Sequence, residues 1–162
     1  MNKNLVAEIN KQIQYELASG YLYLSMAAHF ESANLGGFAH WMKIQAKEEQ
    51  EHALKFFEYL IDRGEKVVLQ AIEQPPAEFG TPLSVFEQAL EHEKGVTARI
   101  YKLYKLAQDD GDYASQSFLT WYVNEQVEEE KNASQIVEWL KMAGSSTNAL
   151  FMLDSVLRKR GE

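Results

Sequence analysis

Four acidic residues and one histidine stand at helical spacing where a helix would turn them inward. Glu49 and His52 are three residues apart in the run Glu48-Glu49-Gln50-Glu51-His52, and Glu16, Glu93 and Glu129 each fall within the apolar stripe of a different segment. At about 100° of rotation per residue, Glu16 and Tyr23 share a face with Ile9, Ile13, Gly20, Leu24 and Ala27. His52 shares one with Phe38, Trp41, Gln45, Phe56 and Tyr59, and Glu49 lies about 60° away. Glu93 sits among Phe86, Ala89, Leu90, Thr97, Ile100 and Tyr104; Gln126 and Glu129 sit among Leu119, Tyr122, Val123, Ala133, Val137 and Leu140. An ionised carboxylate in an apolar interior is costly unless something neutralises it. Four carboxylates and an imidazole converging at one depth suit a pair of bound cations, with glutamates bridging and an i,i+3 pair on one helix supplying oxygen and nitrogen. Carboxylate oxygens plus one imidazole accept iron, manganese or zinc alike. The alternative is a metal-free bundle in which Glu16 is a snorkelling edge residue, His52 a satisfied core histidine and Glu93 the partner of a lysine.

The run Glu125-Gln126-Val127-Glu128-Glu129-Glu130 adds a second feature. Glu125, Glu128 and Glu129 make one acidic face bordering the core, and Glu48 stands beside Glu49 opposite. An accessory cation site is one reading of this face. A solvated acidic surface is the other.

The segments that must position these groups are helical. No stretch shows sustained strand alternation, and apolar periodicity marks four long segments, roughly 5–33, 37–63, 83–109 and 113–142, with a short fifth near 147–158. Thr81 before Pro82 and Asp112 are N-cap candidates; Gly64 and Gly144 suit C-termini. The Gly36-Gly37 pair predicts a tight turn that sets the first two helices antiparallel, and Asp110-Gly111-Asp112 does the same for the third and fourth. Each long helix spans roughly 40 Å. The stretch from Gly64 to Pro82, which holds Pro75, Pro76 and Pro82, is long enough to cross that height. Two helical hairpins joined by one long crossover are the ferritin-like all-α arrangement; a plain up-down bundle with a loose loop is the alternative.

Composition narrows the function. The 162 residues predict one domain, 1–162, with a real core, 46% hydrophobic and 12% aromatic. A net charge of −8 argues against nucleic acid as a partner and for attraction of cations. With no cysteine, a disulfide framework, a thiolate zinc site and an iron–sulfur centre are excluded. The chain passes directly into an amphipathic pattern without a signal peptide or an apolar run of membrane-spanning length, which predicts a cytoplasmic protein that does not engage membranes.

Several motifs taken together resemble the non-haem ferritins of bacteria and archaea along nearly the whole chain. They are Tyr15-Glu16 with Tyr21-Leu22-Tyr23-Leu24, Gly37-Phe38-Ala39-His40-Trp41-Met42, Glu48-Glu49-Gln50-Glu51-His52-Ala53, Glu91-His92-Glu93, and Phe118-Leu119-Thr120-Trp121-Tyr122-Val123 leading into the acidic run. The resemblance implies iron storage with ferroxidase activity. Glu16, Glu49 and His52 would hold one iron, and Glu49, Glu93 and Glu129 a second, with Gln126 close by and Tyr23 as a hydrogen-bonding or redox partner. Glu48, Glu125, Glu128 and Glu129 match a third iron site found in some members. It further implies hollow shells of 24 subunits with the short fifth helix about the four-fold axes, ferrous iron and dioxygen or peroxide as reactants, and a reductase or ferredoxin as the class of partner for iron release. Haem is not expected. Where the haem-binding relatives have a methionine after the metal glutamate, this chain has Gln50, and their second E-x-x-H is here Gln126-x-x-Glu129. A di-iron oxidase acting on another substrate is the competing enzyme class; such chains are usually longer, with a substrate channel.

Overall fold

A computed structural model describes residues 1–161. Five helices follow in order: α1 (Lys3–Ser32), α2 (Gly36–Asp62), α3 (Pro82–Asp109), α4 (Tyr113–Ala143) and α5 (Thr147–Leu157). Their beginnings follow local chemistry. The side chains of Asn2, Thr81, Asp112 and Ser146 each accept a hydrogen bond from a backbone N–H of the first turn, and Pro82 occupies the start of α3. Asp112 also forms a two-pronged ion pair with Arg63, both N···O distances near 3.0 Å, tying the end of α2 to the start of α4.

The α1–α2 turn differs from the expectation. Gly36 and Gly37 lie inside α2, and the reversal is made by Ala33-Asn34-Leu35, with Asn34 in the left-handed region at φ 60°. Asparagine tolerates that conformation better than most residues. The glycine serves tertiary packing instead: a Cβ on Gly37 would collide with the backbone carbonyl of Asp154 on α5. In the space so gained, the Asp154 carboxylate accepts from the N–H groups of Gly37 (2.7 Å) and Phe38 (3.1 Å). An α5 side chain thus caps α2, whose own N-cap, Leu35, has no side chain able to do so.

Helix α1 packs along α2 and α3 along α4, while α5 rests on α2 and α4. Arg63 to Thr81 crosses the height of the bundle as an ordered strap along α1. Asn10 takes the carbonyl of Lys66 and the N–H of Val68; Gln14 reaches Ala71, Ser25 Pro76 and His29 Gly80. The arrangement is therefore the ferritin-like bundle and not an up-down bundle with a loose loop.

The core falls into two apolar halves. One holds Phe30, Phe38, Trp41, Phe86 and Leu140; the other holds Leu5, Ile9, Phe56, Leu60, Ile100 and Leu119. Between them runs a layer of buried polar side chains. Leu24, expected inward, is half exposed, and its neighbour Tyr23 takes the inward position. Among the described residues no helix is long and apolar enough to cross a membrane.

Candidate metal centre

Each long helix contributes to the polar layer. α1 supplies Glu16 and Tyr23, α2 Gln45, Glu49 and His52, α3 Glu93, and α4 Gln126 and Glu129, all buried. α1 and α2 approach closely at Gly20, where a Cβ would stand 3.0 Å from the Ala46 carbonyl oxygen and 3.5 Å from the Glu49 Cβ.

Glu16, Glu49 and His52 each present a ligand atom, all within 4.8 Å of one another. His52 Nδ1 lies 3.6 Å from a Glu49 oxygen. Glu16 Oε1 accepts from Gln12 at 2.9 Å, while Glu16 Oε2 is buried with no partner among the described residues. An unpaired carboxylate oxygen in an interior carries a desolvation penalty of about 1–3 kcal/mol or more, which a cation would remove.

His52, Glu125 and Glu129 form a second group on the same distance criterion, with Glu125 partly exposed. Glu93 belongs to neither group. Its carboxylate accepts from the Tyr23 hydroxyl and from the Gln126 amide, the latter at 3.2 Å. The triad Glu16, Glu49 and His52 thus assembles as one set. The second expected set, Glu49, Glu93 and Glu129, does not assemble in the same way: Glu93 is held by Tyr23 and Gln126, while Glu49 and Glu129 share the Gln45 amide.

Of the accessory acids, Glu125 approaches His52 at 3.9 Å, Glu48 is held by Arg160 at 2.5 Å, and Glu128 is exposed outside both groups. Three side chains absent from the sequence-based site complete the layer. Gln12 bonds Glu16, Gln45 donates to Glu49 (3.0 Å) and Glu129 (2.9 Å), and Arg160 reaches Gln45. Periodicity had put Gln45 on the inward face. Nothing local points to Arg160, which is 115 residues away.

Electrostatics follow from burial. Desolvation, then the neighbouring Glu49, pushes the Glu16 carboxyl well above the usual range. Desolvation followed by Glu93 and Glu129 does the same to Glu49. Glu93 rises to about 7, mainly by burial. Glu129 rises to about 7 through burial and then Glu93. Burial and mutual repulsion therefore favour the protonated forms of these acids, and a divalent ion bound among them would compete with protons.

A model of the ferritin-like domain matches residues 6–143. A bacterial non-heme ferritin from Bacteroides fragilis is 42% identical over 160 residues, covering 99% of each chain. The chain belongs to the ferritin family. A second bacterial non-heme ferritin, from Staphylococcus epidermidis, is 38% identical over 160 residues, 99% of this ferritin and 96% of the other. The crystal structure of an open-pore ferritin from the hyperthermophilic archaeon Archaeoglobus fulgidus superimposes with a TM-score of 0.98 at 46% identity, covering 99% of each chain. With that membership stand the expectations that this ferritin stores iron and oxidises it as a ferroxidase.

Proposed function

We propose that ferrous oxidation takes place in the polar layer of a single subunit, with Glu16, Glu49 and His52 binding one ferrous ion and Glu49, Glu93 and Glu129 a second, Glu49 bridging. The observation that carries this reading is the unpartnered, buried Glu16 Oε2 beside Glu49 and His52. A buried carboxylate oxygen with no protein donor calls for a partner of another kind, and a cation held between Glu16, Glu49 and His52 supplies one.

Each ferrous ion gives up one electron. Dioxygen with two protons becomes hydrogen peroxide, or peroxide with two protons becomes water. The protein holds both substrate ions at bridging distance, neutralises their charge with carboxylates that favour the ferric state, and leaves space for the oxidant. Tyr23 and Gln126 hold Glu93 from two sides and release it to the second ion. Glu48, Glu125, Glu128 and Glu129 form the accessory site through which product iron leaves, with the Glu125–His52 approach as its link to the centre.

We further propose that the chain is a cytoplasmic protein assembled as a homo-oligomeric shell of 24 subunits, with ferric mineral inside and a reductase or ferredoxin acting in iron release. An assembled particle near half a megadalton (24 chains of 18.6 kDa) on size exclusion supports the shell; a monomer or dimer refutes it. Glu49→Ala and His52→Ala should each nearly abolish the rapid phase of ferrous oxidation in stopped-flow absorbance while leaving the particle assembled. A wild-type rate in either variant would overturn the assigned centre.

A further inference from the structure

Three residues beyond the end of α5, Arg160 turns back into the body of the molecule. Its position is set at both ends. The backbone carbonyl of Arg160 lies 2.9 Å from His40 Nε2, and the guanidinium stacks over Trp41 at 4.2 Å while donating to the Trp41 carbonyl at 3.2 Å. Its other terminal nitrogen, Nη2, donates to two acceptors, Gln45 Oε1 at 2.8 Å and Glu48 Oε2 at 2.5 Å.

Gln45 is fully buried, and all of its amide is in use. The oxygen accepts from Arg160, and the nitrogen donates to Glu49 on its own helix and to Glu129 on α4. Turning that amide over would set its oxygen against two carboxylates and its N–H groups against a guanidinium. Arg160 therefore fixes which end of Gln45 meets the carboxylates, and the charge-assisted bond polarises the amide toward them.

We infer that Arg160 is a positioning residue for ferrous oxidation: through Gln45 it holds Glu49 and Glu129 at the spacing that two cations require. The inference rests on the centre proposed above. It carries a second consequence. Glu48 is one of the accessory acids, and the same guanidinium nitrogen occupies it. A cation arriving at Glu48 competes with Arg160, releases the Gln45 oxygen and loosens the hold on Glu49 and Glu129. Occupation of the accessory acids and geometry of the centre are thus linked through Arg160.

The test is a mutant cycle read by two methods, first-turnover oxidation by stopped flow and the visible spectrum of bound Co(II). Arg160→Ala should slow the first turnover by about 10-fold or more, the usual effect of removing a partner that orients a metal ligand. It should also alter the Co(II) bands without reducing the Co(II) bound per subunit. Arg160→Lys should recover part of the rate, since an ammonium supplies a donor to Gln45 without the guanidinium's planar fork. Gln45→Leu should share the defect, and the double variant should be no slower than the slower single one. A wild-type rate and spectrum in Arg160→Ala would overturn the inference, as would multiplicative losses in the double variant. If Glu49→Gln retains full activity, the centre itself is misassigned. An inactive Glu49→Gln beside a fully active Arg160→Ala sinks only the role of Arg160.

Discussion

Replacing Glu129 by glutamine separates the demands of the proposed metal centre from those of the fold. Glu129 is buried, and its carboxyl is raised from 4.5 to about 7 by desolvation and then by Glu93. Because the folded-state pKa lies above the unfolded one, the native protein binds more protons between pH 4.5 and 7, and stability falls as pH rises through that window. At about 1.4 kcal/mol per unit, this shift corresponds to about 3 kcal/mol lost by pH 8, against less than about 1 kcal/mol at pH 5. Glutamine keeps an oxygen to accept from Gln45 and carries no charge at either pH. Metal-free Glu129→Gln should therefore be more stable than wild type by about 3 kcal/mol at pH 8 and only slightly so at pH 5. In guanidinium chloride, with a slope of about 4 kcal/mol per molar, the pH 8 midpoint should rise by roughly 0.8 M. The same variant should gain less from added Zn(II) or Co(II) and oxidise ferrous iron slowly. A midpoint at pH 8 that is unchanged or lowered, or a shift equal at both pH values, would refute the claim that an uncompensated buried charge is the cost of the empty centre.

Removal of Glu125 and Glu128 together should change the iron-to-oxygen stoichiometry or the turnover after the first oxidation more than the first oxidation itself; unchanged behaviour in both would reduce that face to a solvated surface. Asp112→Ala removes the cap of α4 and the partner of Arg63 and should cost about 2 kcal/mol at pH 7 by denaturant titration. The Asp112 carboxyl is held down to about 2 by Arg63, against an ordinary 3.8, so the wild-type advantage should be full above pH 4 and disappear as pH falls toward 2. Gly37→Ala should displace α5, because the added methyl meets the Asp154 backbone, and should lower the thermal midpoint measurably at neutral pH.

The helices and their inward carboxylates were legible because both follow from local periodicity. Thr81, Asp112, Gly64 and Gly144 stand where the helices begin and end. Glu16, Glu49, Glu93 and Glu129 are all buried, since a stripe about 100° wide fixes the direction of any residue near its middle. Leu24 failed that rule because it lies about 100° round the helix from the buried Tyr23, at the stripe's outer edge. The glycine pair failed for a different reason. Glycine signals either a turn or a close approach, and only the position of Asp154, more than a hundred residues on, distinguishes the two. Gln12 meets Glu16 at i,i+4 spacing, a local pair that the sequence already held, whereas the Gln45 bond to Glu129 and the Arg160 bonds to Gln45 and Glu48 join groups that the chain brings near only once folded. The family resemblance supplied the ligand assignments; spacing alone supplied a set of inward acids.

The division of the core into two oily blocks has a mechanical corollary. Before iron arrives, cohesion is strongest toward the ends of the bundle and weakest at its waist, so backbone amides around Glu49 and Glu129 should exchange with deuterium ahead of those near Phe38 or Leu60. Cation uptake then acts as a rivet at mid-length, and a vacant subunit is distinguished from a filled one by where it breathes.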